Sequence, residues 1–165
     1  MTSSPETTHL STWRSQIDVC VEPEKLLETL TSVEACGAWS PVGFEVDDVE
    51  SGRLRSGTRV DVSGAIVGRQ VRFSVEIVRA NRERLSLRAS GPVDVLADYA
   101  VAPAPGGSRV DAAISVDRGS SGSRLAARAI SIMLGAGALN HALGRIAREA
   151  ERRHPSAPWF EARPA

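Results

Sequence analysis

Hydrophobic and polar residues alternate along most of this chain, and the period of the alternation changes three times. In WRSQIDVCV, Ile17, Val19 and Val21 fall on one side of an extended run and Gln16 and Asp18 on the other, which predicts a half-buried strand. EPEKLLETLTSVEACGAW follows. Its Pro23 suits a first helical turn, Leu26, Leu27 and Leu30 form an apolar stripe, and Gly37 is a stop signal, so two short helices ending at Trp39 are predicted. From Phe44 to Asp117 period two returns. FEVDDVESG leads through a Gly57 turn to TRVDVSGAIV, and RQVRFSVEIVRA then sets Val71, Phe73, Val75 and Ile77 against Arg72, Ser74 and Glu76. ERLSLRAS repeats the pattern with Leu85, Leu87 and Ala89, and VDVLADYAVAP comes next. After a Gly106–Gly107 turn, PGGSRVDAAISVD supplies Val110, Ala112, Ile114 and Val116. Six consecutive strands on short turns predict an antiparallel meander with one wet face. From Gly122 to about Arg153 the spacing becomes helical, with Leu125, Ala129, Ile132, Ala136, Leu139, Leu143, Ile146 and Ala150 near one meridian. At ~1.5 Å per residue this predicts one helix roughly 45 Å long. Its other face, with His141, Arg145, Arg148 and Arg152, should be solvated.

Length and composition narrow the class. The 165 residues suit one domain, expected over 13–154, with a Ser/Thr/Pro-rich N-terminal tail at 1–12 and a C-terminal tail at 155–165. Three prolines disfavour regular structure in that second tail, although Trp159 and Phe160 offer an apolar contact there. Twenty Lys and Arg balance twenty Asp and Glu, so the basic excess of a nucleic-acid binder is missing and no nucleic-acid partner is expected. No run approaches the length of a membrane span, and the first residues carry neither the basic stretch nor the apolar run of a secretory signal. Two cysteines, Cys20 and Cys36, cannot form a disulfide framework; a reduced, cytoplasmic setting is expected. Hydrophobic residues are 42% of the chain but aromatics only 4%, so any pocket must be walled by Val, Leu, Ile and Ala.

Several patterns that mimic chemistry fail on inspection. EVDDVE packs four carboxylates into six residues, but in a strand Glu45 and Asp47 project opposite to Asp48 and Glu50 and no histidine is near. A charged edge strand that resists sheet-to-sheet pairing explains them. His9, His141 and His154 fall on a tail, a wet helix face and a helix end, so no metal site or triad emerges. GSSGS at Gly119–Ser123 lacks the hydrolase GxSxG pattern and reads as the loop and cap before the long helix. ISIMLGAGALN resembles the dinucleotide fingerprint, yet its third position is Asn140 and no strand–helix–strand unit follows. Gly135 and Gly137 inside a helix cost about 1 kcal/mol each relative to Ala, which predicts a bend or a close approach. No cofactor is called for.

The element order and its punctuation carry a family likeness. An opening strand leads to a Pro-initiated helix, WSP at Trp39–Pro41 closes the short helices, and SGRLRSGTRV spans Ser51–Val60. YAVAPAPGGSRV at Tyr99–Val110 and the final amphipathic helix complete the series. Over residues 12–154 the chain resembles the START-like (Bet v 1-like, SRPBCC) superfamily, in its polyketide cyclase/dehydrase-like branch. The resemblance implies an α+β helix-grip fold: a curved antiparallel sheet of about six to seven strands wrapped around a long C-terminal helix, with two short helices after the first strand. A strongly curved sheet does not touch a straight helix along its whole length, and the gap between them is the expected functional feature.

The strand residues expected to face that gap are Phe73, Val75, Ile77, Leu85, Leu87, Val95, Tyr99, Val110, Ala112 and Ile114. Such a lining, with few convergent polar groups, suits a hydrophobic small molecule. The candidate ligand-binding set is Trp39, Phe73, Val75, Leu87, Tyr99, Ile114, Leu125, Ala129, Met133, Ala136 and Asn140. Tyr99, the only tyrosine, is also the one catalytic candidate: its hydroxyl either orients a ligand carbonyl or donates a proton, or it points to the rim. Asn140, on the flank of the helical stripe, presents an amide to the pocket or bonds backbone or water. Arg128, on the other flank, meets a ligand anion or snorkels to the surface. Trp39 is a gate or a packing anchor. The expected function is binding of a polyketide, lipid or aromatic metabolite by a monomer or homodimer. The alternatives are a cyclase/dehydratase using the same cavity, and an interaction module working through its surface.

Overall fold

A computed structural model describes residues 10–35, 44–47, 52–66, 68–117 and 124–155, with residues 44–47 described by their backbone alone. Among the described residues seven strands form one antiparallel sheet in the order β1-β7-β6-β5-β4-β3-β2. They are β1 (Leu10–Val19), β2 (Phe44–Asp47), β3 (Arg59–Ile66), β4 (Arg69–Ala80), β5 (Arg84–Ser90), β6 (Asp94–Ala104) and β7 (Gly107–Asp117). The strands from β2 to β7 pair in sequence, with short turns joining β3 through β7, and β1 closes the far side by pairing along its whole length with β7, from Leu10 opposite Asp117 to Val19 opposite Ser108. β1 therefore starts at Leu10, inside the stretch expected to be tail, because Leu10, Ser11 and Thr12 have ladder partners on β7. The carboxylate-rich β2 is the opposite edge strand. Asp48 and Glu50 lie outside the described residues, as do Trp39, Pro41, the GSSGS run and the Trp159–Phe160 tail.

Period-two patterning fixes which face of the sheet is buried. Phe73 and Ile77 on β4, Leu85 on β5, Ala97, Tyr99 and Val101 on β6, and Val110, Ala112, Ile114 and Val116 on β7 are all buried. Their register assembles rows across the sheet. One runs Trp13, Ile114, Ala97, Leu87, Ile77; the next runs Ser15, Ala112, Tyr99, Leu85, Ala80. Directly opposed side chains share a face and pack, so each row forms a rib of the inner wall.

Helix α1 (Pro23–Thr31) starts at Pro23, whose missing N–H costs nothing in a first turn, and buries Leu26, Leu27 and Leu30. It packs on β5, β6 and β7. A further helical turn begins at residues 33–35 and is tied to the chain before β3 by Val33 N–H to Gly52 O (3.0 Å) and Leu54 N–H to Thr31 O (2.7 Å).

The expected single C-terminal helix is two: α2 (Arg124–Gly135) and α3 (Ala138–Arg153). The break is chemical in origin. Gly137 adopts φ +97 and ψ 17, a left-handed conformation that L side chains avoid. Its N–H bonds back to Leu134 O (3.2 Å), and its own carbonyl accepts the first α3 bond, from His141 N–H (3.1 Å). Of the two readings of the paired glycines, the bend is the one realised, since a methyl added at either Gly135 or Gly137 would meet nothing within 4 Å.

The break also corrects the helical stripe. In α3 the expected face holds: Leu139, Leu143, Ile146 and Ala150 are buried, joined by Ala142 and Ala147. In α2 it does not. Ala126, Ala127, Ile130, Ser131 and Leu134 are buried, while Leu125 (60% exposed) and Ile132 (62% exposed) lie on the outer side. A stripe extrapolated backward from α3 assumes one continuous helix; the left-handed residue resets the phase, and the buried side of α2 lies roughly opposite the extrapolated one at ~100° per residue.

Helix α3 packs on β1, β7 and α1, whereas α2 makes its main sheet contacts with β1 and β7 on one flank and β3 on the other. Between β7 and β3 lie β6, β5 and β4. A twelve-residue helix spans ~18 Å, so α2 bridges the flanks of a curled sheet.

Candidate functional site: the concave face and the cleft along α2

One row of the inner wall is less covered than its neighbours. Val60, Val75, Ala89, Val95 and Val116 stand side by side in register from β3 to β7. The outer members, Val60 and Val116, are buried, while Val75, Ala89 and Val95 in the middle are only half-buried. Leu87, two residues from Ala89 on the same face, is also half-buried. The half-covered patch thus lies on β4, β5 and β6, the strands between the contacts of α2 on β7 and on β3.

A cleft of about 590 Å³ runs along α2, lined among the described residues by Arg124, Ala127, Arg128, Ser131 and Ile132. These positions are spaced i, i+3, i+4, i+7 and i+8, which puts them on one side of a helix. Ala127 and Ser131 are buried and form its floor; Arg124, Arg128 and Ile132 are exposed and form its lip. The Ser131 hydroxyl is buried with no hydrogen-bond partner among the described residues. Neither arginine has an ion-pair partner among them.

The expected site residues distribute as follows. Phe73, Tyr99 and Ile114 are buried on the inner wall, and Val75 and Leu87 are half-buried there. Tyr99, at 2% exposure, sits between Leu85 and Ala112, so its ring belongs to the wall and not to the rim. On α2, Ala129 and Met133 are half-buried. Leu125 is exposed, and Ala136 is exposed within the helix break; the phase change explains both. Asn140 lies on the exposed side of α3, where its Oδ1 accepts a hydrogen bond from Ser15 Oγ of β1. It ties the helix to the edge of the sheet. Trp39 lies outside the described residues. Of the cleft residues, the sequence alone points to Arg128 as a ligand contact. Arg124, Ala127 and Ser131 lie off the stripe that one continuous helix predicts, and Ile132, which lies on it, is turned to the lip; the signal in the sequence is the serine within AARAISIML, one helical turn from Arg128 and two from Arg124.

Two sets of ion pairs away from the cleft tie elements together. Asp18 is directly opposite Arg109, which donates through Nε (2.8 Å) and a terminal nitrogen (3.2 Å). That hydrogen bonding, with the guanidinium charge, holds the Asp18 carboxyl below its ordinary range. Glu149, the one buried carboxylate among the described residues, accepts from Arg152 and from Arg153 Nε (2.9 Å), and Arg153 also donates to Ser32 Oγ (3.2 Å), so α3 is clamped to the end of α1.

Comparison with known proteins agrees with this architecture. The family model described as polyketide cyclase / dehydrase and lipid transport matches residues 12–151. The chain belongs to this family. Among solved structures it is similar to the Zhui aromatase/cyclase of Streptomyces sp. R1128, at 15% identity and TM-score 0.64 over 88% of this chain and 96% of that one. It is also similar to protein CV1439 of Chromobacterium violaceum (17% identity, TM-score 0.63, 85% and 96% covered) and to Ara h 8.0201 (15%, 0.59, 87% and 99%). At these identities the likeness is one of fold, the helix-grip arrangement of a curved antiparallel sheet and a C-terminal helical arm. No curated protein matches the sequence. No helix among the described residues is long and apolar enough to cross a membrane.

Proposed function

We infer that the protein binds a hydrophobic small molecule, of the polyketide, lipid or aromatic-metabolite class, on the concave face of the sheet beneath α2. The observation that carries this reading is the half-covered row Val75, Ala89 and Val95 with Leu87 beside it. Buried apolar area contributes about 25 cal/mol per Å², so a wall left half-open forgoes stabilisation that an apolar guest restores. The cleft along α2, at about 590 Å³, falls in the ~300–1,000 Å³ range of small-molecule sites, and we take it as the mouth of the same space. Membership of a family described by cyclase/dehydrase activity and lipid transport supports the class of ligand.

The test fills the wall. The neutral fluorophore phenylnaphthylamine should bind the wild type saturably at one site, and Ala89→Trp should abolish binding while the far-UV circular dichroism stays unchanged. Equal binding by a folded Ala89→Trp variant would remove the concave face as the site.

A second reading is catalysis of the cyclase/dehydratase type, favoured by the family description and by the full burial of Tyr99 in an apolar wall. There, holding a flexible chain in a reactive geometry supplies most of the acceleration, and the Tyr99 hydroxyl serves as acid. Tyr99→Phe should then slow turnover of a tethered polyketide about 100-fold or more; an unchanged rate would exclude that role.

A further inference from the structure

The polar side of the cleft is specific in a way that apolar binding does not require. Arg124 and Arg128 stand one turn apart on the lip. Like charges at that spacing repel, and the N-terminal end of α2, where Arg124 sits with no acidic residue in its first turn, is itself electropositive. Nothing among the described residues neutralises this. Below them Ser131, one turn further on and only 7% exposed, holds a hydroxyl with no partner among the described residues. A buried, unsatisfied hydroxyl is costly in an isolated protein. A serine inside a helix satisfies its hydroxyl either in solvent or on the carbonyl four residues back; buried Ser131 does neither, and it lines the cleft.

We propose that the ligand is an acid: a hydrophobic molecule ending in a carboxylate, whose oxygens take the Arg124 and Arg128 guanidiniums and the Ser131 hydroxyl while its apolar body lies against Ala127 and enters beneath α2. A carboxylate accepts several hydrogen bonds at once, including the paired N–H groups of an arginine, and charged hydrogen bonds are the strong ones. Three donors on one side of a helix, two of them cationic, suit an anionic head. Ala127 in the floor and Ile132 on the lip offer apolar contact that a small inorganic anion alone would leave unused. This proposal rests on the reading of the concave face as a hydrophobic site and specifies the end group of its occupant.

Calorimetric titration at neutral pH with dodecanoate and with dodecanol, which share a chain and differ in the head, tests it. The wild type should bind dodecanoate about tenfold tighter than dodecanol or better. Arg124→Gln/Arg128→Gln should bring the two within about twofold of each other by weakening the acid alone. Arg148→Gln, which removes an exposed arginine of α3 outside the cleft, should keep the preference. Ser131→Ala should weaken dodecanoate yet raise the melting temperature of the unliganded protein, a pair of effects that a merely structural serine would not produce. Equal affinity of the wild type for acid and alcohol would overturn the acidic-ligand proposal and leave the hydrophobic site standing. A preference that survives loss of both arginines, or that Arg148→Gln also abolishes, would overturn it as well. Failure of both ligands to bind would remove the hydrophobic site itself and this proposal with it.

Discussion

Two glycines two residues apart should respond to alanine with opposite signs. Gly135 ends α2 and has no positive φ, and Gly137 sits at φ +97; a methyl at either position would meet nothing within 4 Å. Crowding is therefore removed from the comparison and only backbone conformation remains. At Gly135 alanine restricts the unfolded chain and favours helix, for a gain of about 0.5–1 kcal/mol. At Gly137 a Cβ in the left-handed region costs about 1–2 kcal/mol. For a chain of this length 1 kcal/mol moves the melting temperature by about 2–4 °C. Gly135→Ala should thus melt about 1–4 °C higher than wild type, and Gly137→Ala about 2–8 °C lower, by differential scanning calorimetry under identical conditions. Straightening the arm would also turn the lip of α2 out of place, so Gly137→Ala should lose affinity for phenylnaphthylamine where Gly135→Ala keeps it. Shifts of the same sign, or a Gly137→Ala variant as stable as wild type, would refute the assignment of the helix break to a left-handed residue.

Two further outcomes follow from particular contacts. A methyl on Gly107 would lie 2.1 Å from the Val19 carbonyl oxygen and 2.9 Å from the Val21 nitrogen, so Gly107→Ala must push β7 from the end of β1 and should destabilise by about 1–3 kcal/mol in urea titration; a change under about 0.5 kcal/mol would contradict that packing. Because Arg109 lowers the Asp18 pKa in the folded state, the contribution of this pair is complete above the ordinary Asp range and is lost as pH falls through the lowered folded value. The Asp18 carboxyl carbon resonance should titrate below that range and return to it in Arg109→Gln, whereas one midpoint in both proteins would exclude the pairing.

The sheet was readable because a period of two leaves little freedom. Val75 shares a face with Phe73 and Ile77, and a one-residue slip of pairing would turn all three to the outer face. The turns were equally legible at Gly57 and Gly106, both of which take the positive φ that glycine supplies. The helical arm was half-legible. Leu139, Leu143 and Ile146 set their own phase, but a helical period carries no memory across a left-handed residue, and Leu125 and Ile132 ended on the outside. The site followed the same division. Wall residues were found from strand periodicity, whereas Ser131 and Arg124 depend on the rotation of α2, which the arm's break determines and local pattern does not. Asn140 had its place on the helix flank, but its partner, Ser15, is 125 residues away in sequence and visible only once β1 closes the sheet.

The most direct test of the account compares the two faces of the same strands. Methyl resonances of Val75, Leu87 and Val95, on the inner face, and of Val78 and Leu96, which are exposed at 54% and 40%, can be followed by carbon–proton correlation spectroscopy as dodecanol is added. A ligand held on the concave wall predicts saturable shifts for Val75, Leu87 and Val95 with Val78 and Leu96 unmoved. Shifts confined to Val78 and Leu96, or none at the inner methyls at saturation, would contradict it.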